Sequence, residues 1–149
     1  FEKYTKIGVK IIGLRYFNIF GQGQTLEYAG VITKFLDRIN ENKSPIIFGD
    51  GTQIRDFIFV KDIVMANLLA MESQVSNSLV NIGTGKAVTI LELANMIIES
   101  SGKNLNPIFK NSLEGDIRKS QADISLCIKN FNWKPKKSLQ EWLKEIFSE

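Results

Sequence analysis

Histidine is absent from the 149-residue sequence, and cysteine occurs once, as Cys127. A disulfide within the chain needs two cysteines, and zinc sites and cysteine–histidine catalytic pairs need clusters of these residue types. These three kinds of site are therefore excluded. The chain also lacks an apolar run of the ~18 residues that a membrane span requires, and no signal-peptide pattern follows Phe1. We expect a protein of a reducing, cytoplasmic setting that does not enter a membrane.

The excess of charge is small as well. Nineteen basic and 16 acidic residues give a net charge of +3, and the densest basic cluster lies in residues 129–137. Nucleic-acid binding favours a larger excess, concentrated on one face and interleaved with aromatic residues. We therefore expect no nucleic-acid partner, whereas a mild positive balance suits an anionic small molecule. With 44% hydrophobic residues, the chain is long enough for one domain with a substantial core.

The first 20 residues have the pattern of the end of a structural unit. Residues 1–7 resemble the last turns of a helix, and Gly8 follows where a left-handed C-cap is favoured. Residues 9–16 form an apolar run of strand length, typical of a strand buried on both faces of a parallel sheet. Since the helix has no beginning and the strand has no evident partners, we expect the sequence to start within a longer protein.

Later residues carry signals for helices and for an edge strand. Residues 22–27 indicate a polar loop, and residues 28–42 a helix with one apolar side that ends before Pro45. The helix from Asp62 is apolar enough to be largely buried, with its methionines in the core. Proline cannot donate to a central ladder, so residues 107–109 predict an edge strand. Capping residues predict where four helices begin: Asp62, Thr89 with Glu92, Asp123, and Ser138 with Glu141.

The chain is organised around residues 46–62. A short apolar run leads into Gly49-Asp50-Gly51, and Arg55-Asp56 then precedes a second β-rich run. A turn with two glycines lets the backbone approach a ligand closely, and a guanidinium at the mouth of a strand can grip phosphate oxygens. A surface hairpin with a structural salt bridge is the alternative interpretation of this stretch.

A second glycine pair, Gly83-Thr84-Gly85, follows a short strand expected at residues 79–82. It could be mistaken for part of a dinucleotide-binding loop. The third glycine of that fingerprint is missing, however, and no acidic residue completes it ~20 positions later. We interpret the pair as a structural turn.

Five segments together carry a resemblance to a known family. They are LRYFNIFG (14–21), YAGVITKF (28–35), IIFGDGTQIRDFIFVKD (46–62), NIGTG (81–85) and GDIR (115–118). In this order they resemble the C-terminal half of the NAD-dependent nucleotide-sugar epimerase/dehydratase family, the extended short-chain dehydrogenases. The resemblance covers nearly the whole chain and implies an α/β fold. Residues 1–20 would be a terminal helix–strand remnant of the Rossmann-type NAD-binding domain, and residues 21–149 the nucleotide-sugar-binding lobe.

The resemblance also implies binding roles for individual residues. Arg55 and Arg118 would clamp the substrate diphosphate, although many family members carry the second arginine three positions before the aspartate, where this chain has Leu113. Asp56 would orient Arg55 or cap backbone groups, and Asp116 would accept hydrogen bonds from the ribose hydroxyls. The other implied contacts are Asn18 with the diphosphate, Tyr16 and Phe17 beside the nicotinamide of NAD, and Gly30, Val31, Ile32, Ile47 and Phe48 around the base. For the two aromatic residues, core packing at a strand end is the alternative.

Ser120 bears on the choice of sugar. At this position, hexose-restricted 4-epimerases of the family carry a large residue, and members that accept N-acetylhexosamines carry a small one. Serine is small, so we expect room for a 2-acetamido group.

The family's catalytic tyrosine–lysine pair does not occur at Tyr4, because Gly8 stands where the lysine should be. We expect that pair, and the glycine-rich NAD loop, upstream of Phe1. The resemblance therefore implies the substrate-binding C-terminal part of a nucleotide-sugar 4-epimerase, homodimeric in its complete form. It would act on UDP-glucose and UDP-galactose or their N-acetyl analogues by transient hydride transfer to NAD. The alternatives are a dTDP-sugar dehydratase or related NAD-dependent enzyme, a free-standing nucleotide-sugar-binding module, and an α/β interaction domain without a ligand.

Overall fold

The computed structural model describes residues 2–24 and 30–148. This part of the chain has an α/β fold, as the sequence predicts. Its helices are α1 (Glu2–Thr5), α2 (Val31–Asn40), α3 (Val60–Glu72), α4 (Ile90–Ser101), α5 (Ser125–Phe131) and α6 (Leu139–Ile146). Its strands are β1 (Ile12–Tyr16), β2 (Asn18–Phe20), β3 (Ile46–Phe48), β4 (Ile54–Arg55), β5 (Phe57–Phe59), β6 (Ser78–Ile82), β7 (Val88–Thr89) and β8 (Ile108–Lys110).

The described strands pair two by two. β1 lies parallel to β6, β2 to β5 and β3 to β8, whereas β4 and β7 are antiparallel. Helices separate the parallel partners along the chain, as parallel connections require. The Phe17 N–H donates to the Ile82 carbonyl and the Asn18 N–H to the Asp56 carbonyl, both at 3.0 Å. The end of β1 is thereby held beside the junction of β4 and β5.

Successive side chains of β5 enter two different apolar cores, because side chains alternate between the faces of a strand. Phe57 is buried in the first core, with apolar residues of α2, α4 and α6. Ile58 is buried in the second core, with apolar residues of α3, α5 and β6. Arg55 and Asp56, which come just before β5, are therefore followed by residues that are fixed in both cores.

The N-terminal segment has the expected helical residues and a left-handed Gly8, although α1 already ends at Thr5, and it corrects the expected strand. Gly8 has φ +84°, the left-handed conformation of a C-cap. β1 begins at Ile12, later than predicted, and its residues are half-buried or exposed and not buried on both faces. Within the described part of the chain it pairs with β6 alone. One edge of β1 consequently has no strand partner among the described residues.

Helix α3 is also less buried than its composition predicts. Ile63, Ala66 and Ala70 lie in the second core. The opposite side of the helix is exposed, and its exposed apolar residues are Val64, Met65, Leu68 and Met71. The prediction of core methionines is therefore wrong for this helix, since it is apolar on both sides and the described residues cover only one of them.

The two capping boxes are confirmed, and the two lone aspartate caps are corrected. Thr89 with Glu92 begins α4, and Ser138 with Glu141 begins α6, each with both reciprocal hydrogen bonds. Asp62 does not cap α3, which begins at Val60; its buried carboxylate instead accepts the N–H groups of residues 136 and 137, each at 3.1 Å. α5 begins at Ser125 after Ile124, although the Asp123 carboxylate does accept the N–H of Ser125 at 2.9 Å.

Helix α2 begins at Val31 and ends at Asn40, close to the prediction. Residues 25–29, which include part of the predicted loop and the predicted start of this helix, lie outside the described residues. β8 pairs with β3 at an edge, as predicted. Among residues 2–24 and 30–148, no helix has the length and apolarity needed to cross a bilayer.

Candidate functional site

The Gly49-Asp50-Gly51 turn joins β3 to β4 in the backbone conformation that glycine favours. Gly49 has φ +81° and Gly51 φ +76°. Asp50 closes the turn by accepting hydrogen bonds from the Thr52 N–H (3.0 Å) and hydroxyl (2.7 Å). The pKa of Asp50 is lowered to about 2, mainly by these two hydrogen bonds and to a smaller extent by the Arg118 guanidinium. A Cβ on Gly51 would lie 3.0 Å from a side-chain carbon of α4, so the close approach that this glycine permits is to that helix.

Arg55 ends β4 with its guanidinium held by three oxygen atoms. Nη1 donates to the carbonyl oxygens of Ile54 (2.8 Å) and Ile117, and Nη2 donates to Asp116 Oδ1 at 2.5 Å. The Arg55 side chain is 15% exposed and the Asp116 side chain 30%. The guanidinium is therefore fixed in place and paired with a carboxylate that is more accessible than itself.

Asp56 is fully buried and caps backbone groups, as predicted. Its carboxylate accepts hydrogen bonds from the Thr84 N–H (2.8 Å) and hydroxyl (2.6 Å), the Gly85 N–H (2.8 Å) and the Ala122 N–H (3.1 Å). A Cβ on Gly83 would lie 2.5 Å from the Ala122 Cβ. Gly83-Thr84-Gly85 is thus the structural turn that the sequence predicts, packed closely against Asp56.

A cavity of about 510 Å³, here named the α2 cavity, lies among α2, β3 and β4. It brings together five residues predicted for the site: Asn18, Val31, Phe48, Arg55 and Asp116. Its other lining residues are Lys34, Phe35, Asp37, Arg38, Ile46, Gln53, Ile90 and Leu113. The walls therefore combine apolar side chains of α2 and β3 with the charged groups of Arg55 and Asp116.

Several polar residues of the α2 cavity were not predicted from the sequence. Lys34 and Arg38 come from α2 and Gln53 from the segment before β4. Val31, Lys34, Phe35 and Arg38 follow the i, i+3, i+4, i+7 spacing of a single helix face. That spacing is visible in the sequence, and it could have placed the two cations beside Val31. Nothing local marks Gln53.

Three residues predicted around the base do not line the α2 cavity. The side chains of Ile32 and Ile47 are 5% and 0% exposed and lie in the first core. Gly30 is the N-cap of α2. The side chains of Ile32 and Ile47 therefore pack the first core, while those of Val31 and Phe48 lie at the cavity wall. The placement of Gly30, Ile32 and Ile47 around the base, by apolar contact or through backbone groups, stays a prediction.

Arg118 does not join Arg55 at the α2 cavity. Its Nη1 lies 3.3 Å from Asp50 Oδ2 and 3.3 Å from Thr52 Oγ1, and its side chain is 77% exposed. It lines a second space of about 480 Å³, here named the turn cavity. The residues of the turn cavity are Gly49, Asp50, Gln53, Lys110, Asn111, Ser112, Leu113, Gly115, Asp116 and Arg118. The predicted two-arginine clamp is not formed in this structure.

A third, open space of about 530 Å³, here named the strand-end cavity, contains the remaining predicted residues. It is lined by Arg15, Tyr16, Phe17, Asn18, Asn81 and Ser120. Tyr16 is 45% exposed, so core packing does not explain it, and its hydroxyl donates to Asn67 Oδ1 at 2.8 Å. Asn18 lines both this cavity and the α2 cavity, and its amide donates to the Asp56 carbonyl at 3.2 Å.

Gln53 lies in the wall shared by the α2 cavity and the turn cavity, together with Asp116. Its Nε2 donates to the Phe48 carbonyl at 2.7 Å and to Asp116 Oδ2 at 3.1 Å. Its Oε1 is buried and has no hydrogen-bond partner in the described part of the chain. The side-chain oxygen of Gln53 is thus a buried acceptor in the cavity wall that makes no hydrogen bond to the described residues.

The single cysteine lies away from the three named cavities. Cys127 lies in the second core, and burial raises the pKa of its thiol to about 11. Within residues 2–24 and 30–148, no group of three or more His, Cys, Asp or Glu side chains is arranged to hold a metal ion.

The sequence and the fold are similar to those of known proteins. The chain is 38% identical to a putative UDP-glucose 4-epimerase of Methanocaldococcus jannaschii, over 97% of the chain and 48% of that relative. The UDP-glucose 4-epimerase of Thermotoga maritima, solved with UDP-glucose, superposes with a TM-score of 0.90 and 38% identity over 99% of this chain and 49% of that one. A UDP-N-acetylglucosamine 4-epimerase of Methanobrevibacter ruminantium, solved with UDP-N-acetylmuramic acid, gives 0.87 and 37% over 99% and 49%.

The chain therefore spans about half the length of these relatives. Residues 2–83, more than half of its own length, match the family described as the NAD dependent epimerase/dehydratase family. The match includes the strand-end residues, α2 and the arginine of β4, and the fold is that of the extended short-chain dehydrogenase epimerases. By sequence and by fold, the chain belongs to the NAD dependent epimerase/dehydratase family.

Proposed function

We propose that this chain is the substrate-binding part of a nucleotide-sugar 4-epimerase and that the α2 cavity holds the nucleotide. The substrates would be UDP-glucose and UDP-galactose or their N-acetyl analogues. In this proposal residues 1–20 belong to the NAD-binding domain and residues 21–149 form the nucleotide-sugar lobe. The UDP-sugar ligands of the similar epimerases support the proposal. A cytoplasmic location and a homodimeric parent enzyme are parts of the same proposal.

The fixed guanidinium of Arg55 is the observation that carries the proposal. It lies at the wall of a cavity whose other walls include the apolar side chains of Val31 and Phe48. Nucleotide sites combine apolar surfaces for the base with a few placed polar groups, and arginine binds phosphate in bidentate fashion. Asp116 already neutralises Arg55 in part. A diphosphate brings more negative charge than one carboxylate, so it can take this position on the guanidinium.

This chain contributes binding and not the chemical step. Each of its three tyrosines lacks a lysine four positions later, since Gly8, Phe20 and Ile32 stand there. NAD, when bound in the complete enzyme, would accept and return the hydride at the sugar C4. Tyr16 and Phe17 are the residues of this chain that would lie beside its nicotinamide, at the strand-end cavity. Binding of the nucleotide at a distance from the reacting carbon would position the sugar ring.

A calorimetric titration of the chain with UDP tests the proposal. We expect a dissociation constant in the micromolar to millimolar range and complete loss of measurable binding in Arg55→Ala, because the substitution removes the fixed cation. Arg118→Ala is the matched control, as it removes an exposed arginine that lies in the turn cavity. It should change the affinity less than about threefold, within the small range expected of an exposed charge pair.

Unchanged UDP binding in Arg55→Ala would overturn the assignment of the diphosphate to the α2 cavity, provided that thermal unfolding shows the variant to be folded. Loss of binding in Arg118→Ala alone would move the site to the turn cavity.

Titration with UDP-glucose and UDP-N-acetylglucosamine under the same conditions addresses Ser120. A small residue there predicts similar affinity for both, whereas failure to bind the N-acetyl sugar would refute that part.

A further inference from the structure

The densest basic stretch of the sequence lies beside a cavity that has no part in the proposed function. This cavity, of about 420 Å³ and here named the lysine cavity, lies between the turn after β6 and the segment before α6. Its lining residues are Phe57, Thr84, Lys86, Val88, Met96, Ile124, Lys134, Pro135, Lys136, Lys137, Ser138, Leu139 and Gln140. None of them lines the α2, turn or strand-end cavity, so an inference about the lysine cavity is independent of the proposed function.

Apolar side chains that belong to the two cores form much of the lysine cavity. Phe57 and Leu139 are buried in the first core, and Val88 and Met96 pack against it. Ile124 packs against the second core. Because the cores hold these side chains in place, a ligand would gain apolar contact without first having to order the cavity walls.

Two buried carboxylates hold the backbone around the lysine cavity. The Thr84 hydroxyl donates to Asp56 Oδ1 at 2.6 Å, and the N–H groups of Lys136 and Lys137 donate to Asp62 Oδ2 at 3.1 Å each. Asp56 is 0% exposed and Asp62 5%. The segments that carry the lysines are therefore fixed at their backbones, while the long side chains keep the freedom to reach a ligand.

The lysine cavity has more positive charge than its neighbours neutralise. Lys137 pairs with Glu145. The ammonium groups of Lys86, Lys134 and Lys136 make no hydrogen bond or ion pair with the part of the chain that the structure describes. These three cations come from two segments that are far apart in the sequence and meet at one apolar cavity.

Solvation of the lysines is the alternative interpretation, because a lysine stem can cover apolar surface while its ammonium group stays in water. One further carboxylate, that of Glu141, lies near the cluster. The pKa of Glu141 is lowered mainly by hydrogen bonds from Ser138, and to a smaller extent by the charges of Lys137 and Lys86. Solvated lysines would give the cavity no preference for an anion that carries an apolar group, and this difference can be measured.

We propose that the lysine cavity binds a small phosphate ester, with its apolar body inside the cavity and its phosphate between Lys86, Lys134 and Lys136. A volume of about 420 Å³ lies in the range of small-molecule sites, which combine mostly apolar walls with a few polar groups. Three cations from two segments suit a doubly charged phosphate better than a singly charged carboxylate.

Titration with 1-naphthyl phosphate, followed by NMR of the methionine methyl groups, tests the proposal. Met96 lines the lysine cavity, whereas Met65 and Met71 are 45% and 81% exposed on α3. We expect a saturable change in the Met96 signal and none in the signals of the other two methionines. Inorganic phosphate and 1-naphthol should each bind at least about threefold more weakly, because each lacks one of the two kinds of contact.

The double variant Lys86→Gln, Lys134→Gln should bind 1-naphthyl phosphate at least about threefold more weakly, because it removes two of the three unpaired cations. The double variant Lys3→Gln, Lys10→Gln is the matched control. It removes the same charge from exposed lysines that do not line the lysine cavity, so its affinity should stay within about 1.5-fold of the unaltered chain.

Four results would each overturn the proposal. They are an unchanged Met96 signal, equal changes at all three methionines, equal binding of 1-naphthol or inorganic phosphate, and equal affinities of the two double variants for 1-naphthyl phosphate. The first would show that the cavity takes no such ligand, and the second that the naphthyl group binds exposed apolar surface in general. The third and fourth would show that the lysines are a solvated surface.

Discussion

At the scale of single residues, two buried carboxylates hold separate segments of the chain in place. Asp56 joins the end of β4 to the turn after β6 and to the segment before α5. Asp62 joins α3 to the backbone before α6. Backbone capping was one of the two roles expected of Asp56, and orientation of Arg55 was the other. It predicted a helix cap for Asp62, since an aspartate before an apolar run gives the same signal whether its partners are local or distant.

Replacing Asp56 by asparagine is expected to destabilise the protein by about 3 kcal/mol, because the buried carboxylate makes several charge-assisted hydrogen bonds that an amide cannot all replace. The amide nitrogen would face N–H donors of Gly85 and Ala122 or of Thr84. Urea denaturation followed by circular dichroism measures the loss.

Asp123→Asn is the control for that experiment. Asp123 is exposed and its carboxylate hydrogen-bonds locally, to Ser125. Its substitution should therefore lower the free energy of unfolding much less than Asp56→Asn does. If Asp56→Asn were as stable as the unaltered chain, the hydrogen-bond network around Asp56 would not have the structural role described above.

At the scale of elements, the capping boxes were predictable and the strand partners were not. Thr89 with Glu92 and Ser138 with Glu141 lie three residues apart, so the sequence contains the whole interaction. β3 and β8 are 62 positions apart in register, from Ile46 to Ile108, and no local pattern identifies that pairing. The same limit explains β1 and α3. Their apolar runs predicted the elements but not how much of each the described residues cover.

Glu92 provides a test of the capping box through its pH dependence. Hydrogen bonds from the Thr89 N–H, and next from the Thr89 hydroxyl, lower the pKa of Glu92 below its ordinary value of 4.5. A carboxyl whose pKa is lower in the folded state stabilises that state above the unfolded pKa, and the contribution disappears as the pH falls through the folded pKa. Glu92→Ala should therefore cost about 0.5–1 kcal/mol at pH 7 and less at pH 3.

Urea denaturation of the unaltered chain and Glu92→Ala at the two pH values measures this difference. Glu99→Ala, an exposed substitution on the same helix α4, controls for the change in helix composition. If the free energies of unfolding of the unaltered chain and of Glu92→Ala differed by the same amount at pH 3 and pH 7, the capping role of the carboxylate would be contradicted.

At the scale of the whole molecule, the site is assembled from segments that the sequence keeps apart. Arg55 and Asp116 are separated by 61 positions and form an ion pair. The resemblance to a family predicted both residues as site residues, whereas the spacing of glycines and arginines alone predicted only Arg55. Neither the resemblance nor the spacing predicted where the Arg118 side chain lies. Its carbonyl accepts the Ile54 N–H, and its guanidinium lies beside Asp50. Gln53 was not predicted either, since a single glutamine has no periodic or motif signal.

The two arginines that lie beside neighbouring cavities differ in exposure and in how firmly they are held. Arg55 is 15% exposed and anchored by backbone carbonyls, whereas Arg118 is 77% exposed and paired with an exposed aspartate. An anchored cation loses little freedom on binding an anion, and a mobile surface cation is screened by water and salt. This difference is the physical reason to assign the diphosphate to Arg55 and to treat Arg118 as a control.

A crystal structure of this chain with UDP tests the central claim most directly. The account predicts diphosphate oxygens within hydrogen-bonding distance of the Arg55 guanidinium, the base against Val31 and Phe48, and the Asp116 carboxylate turned from Arg55 towards the ribose. A diphosphate bound to Arg118 in the turn cavity, with the Arg55–Asp116 ion pair intact, would contradict it.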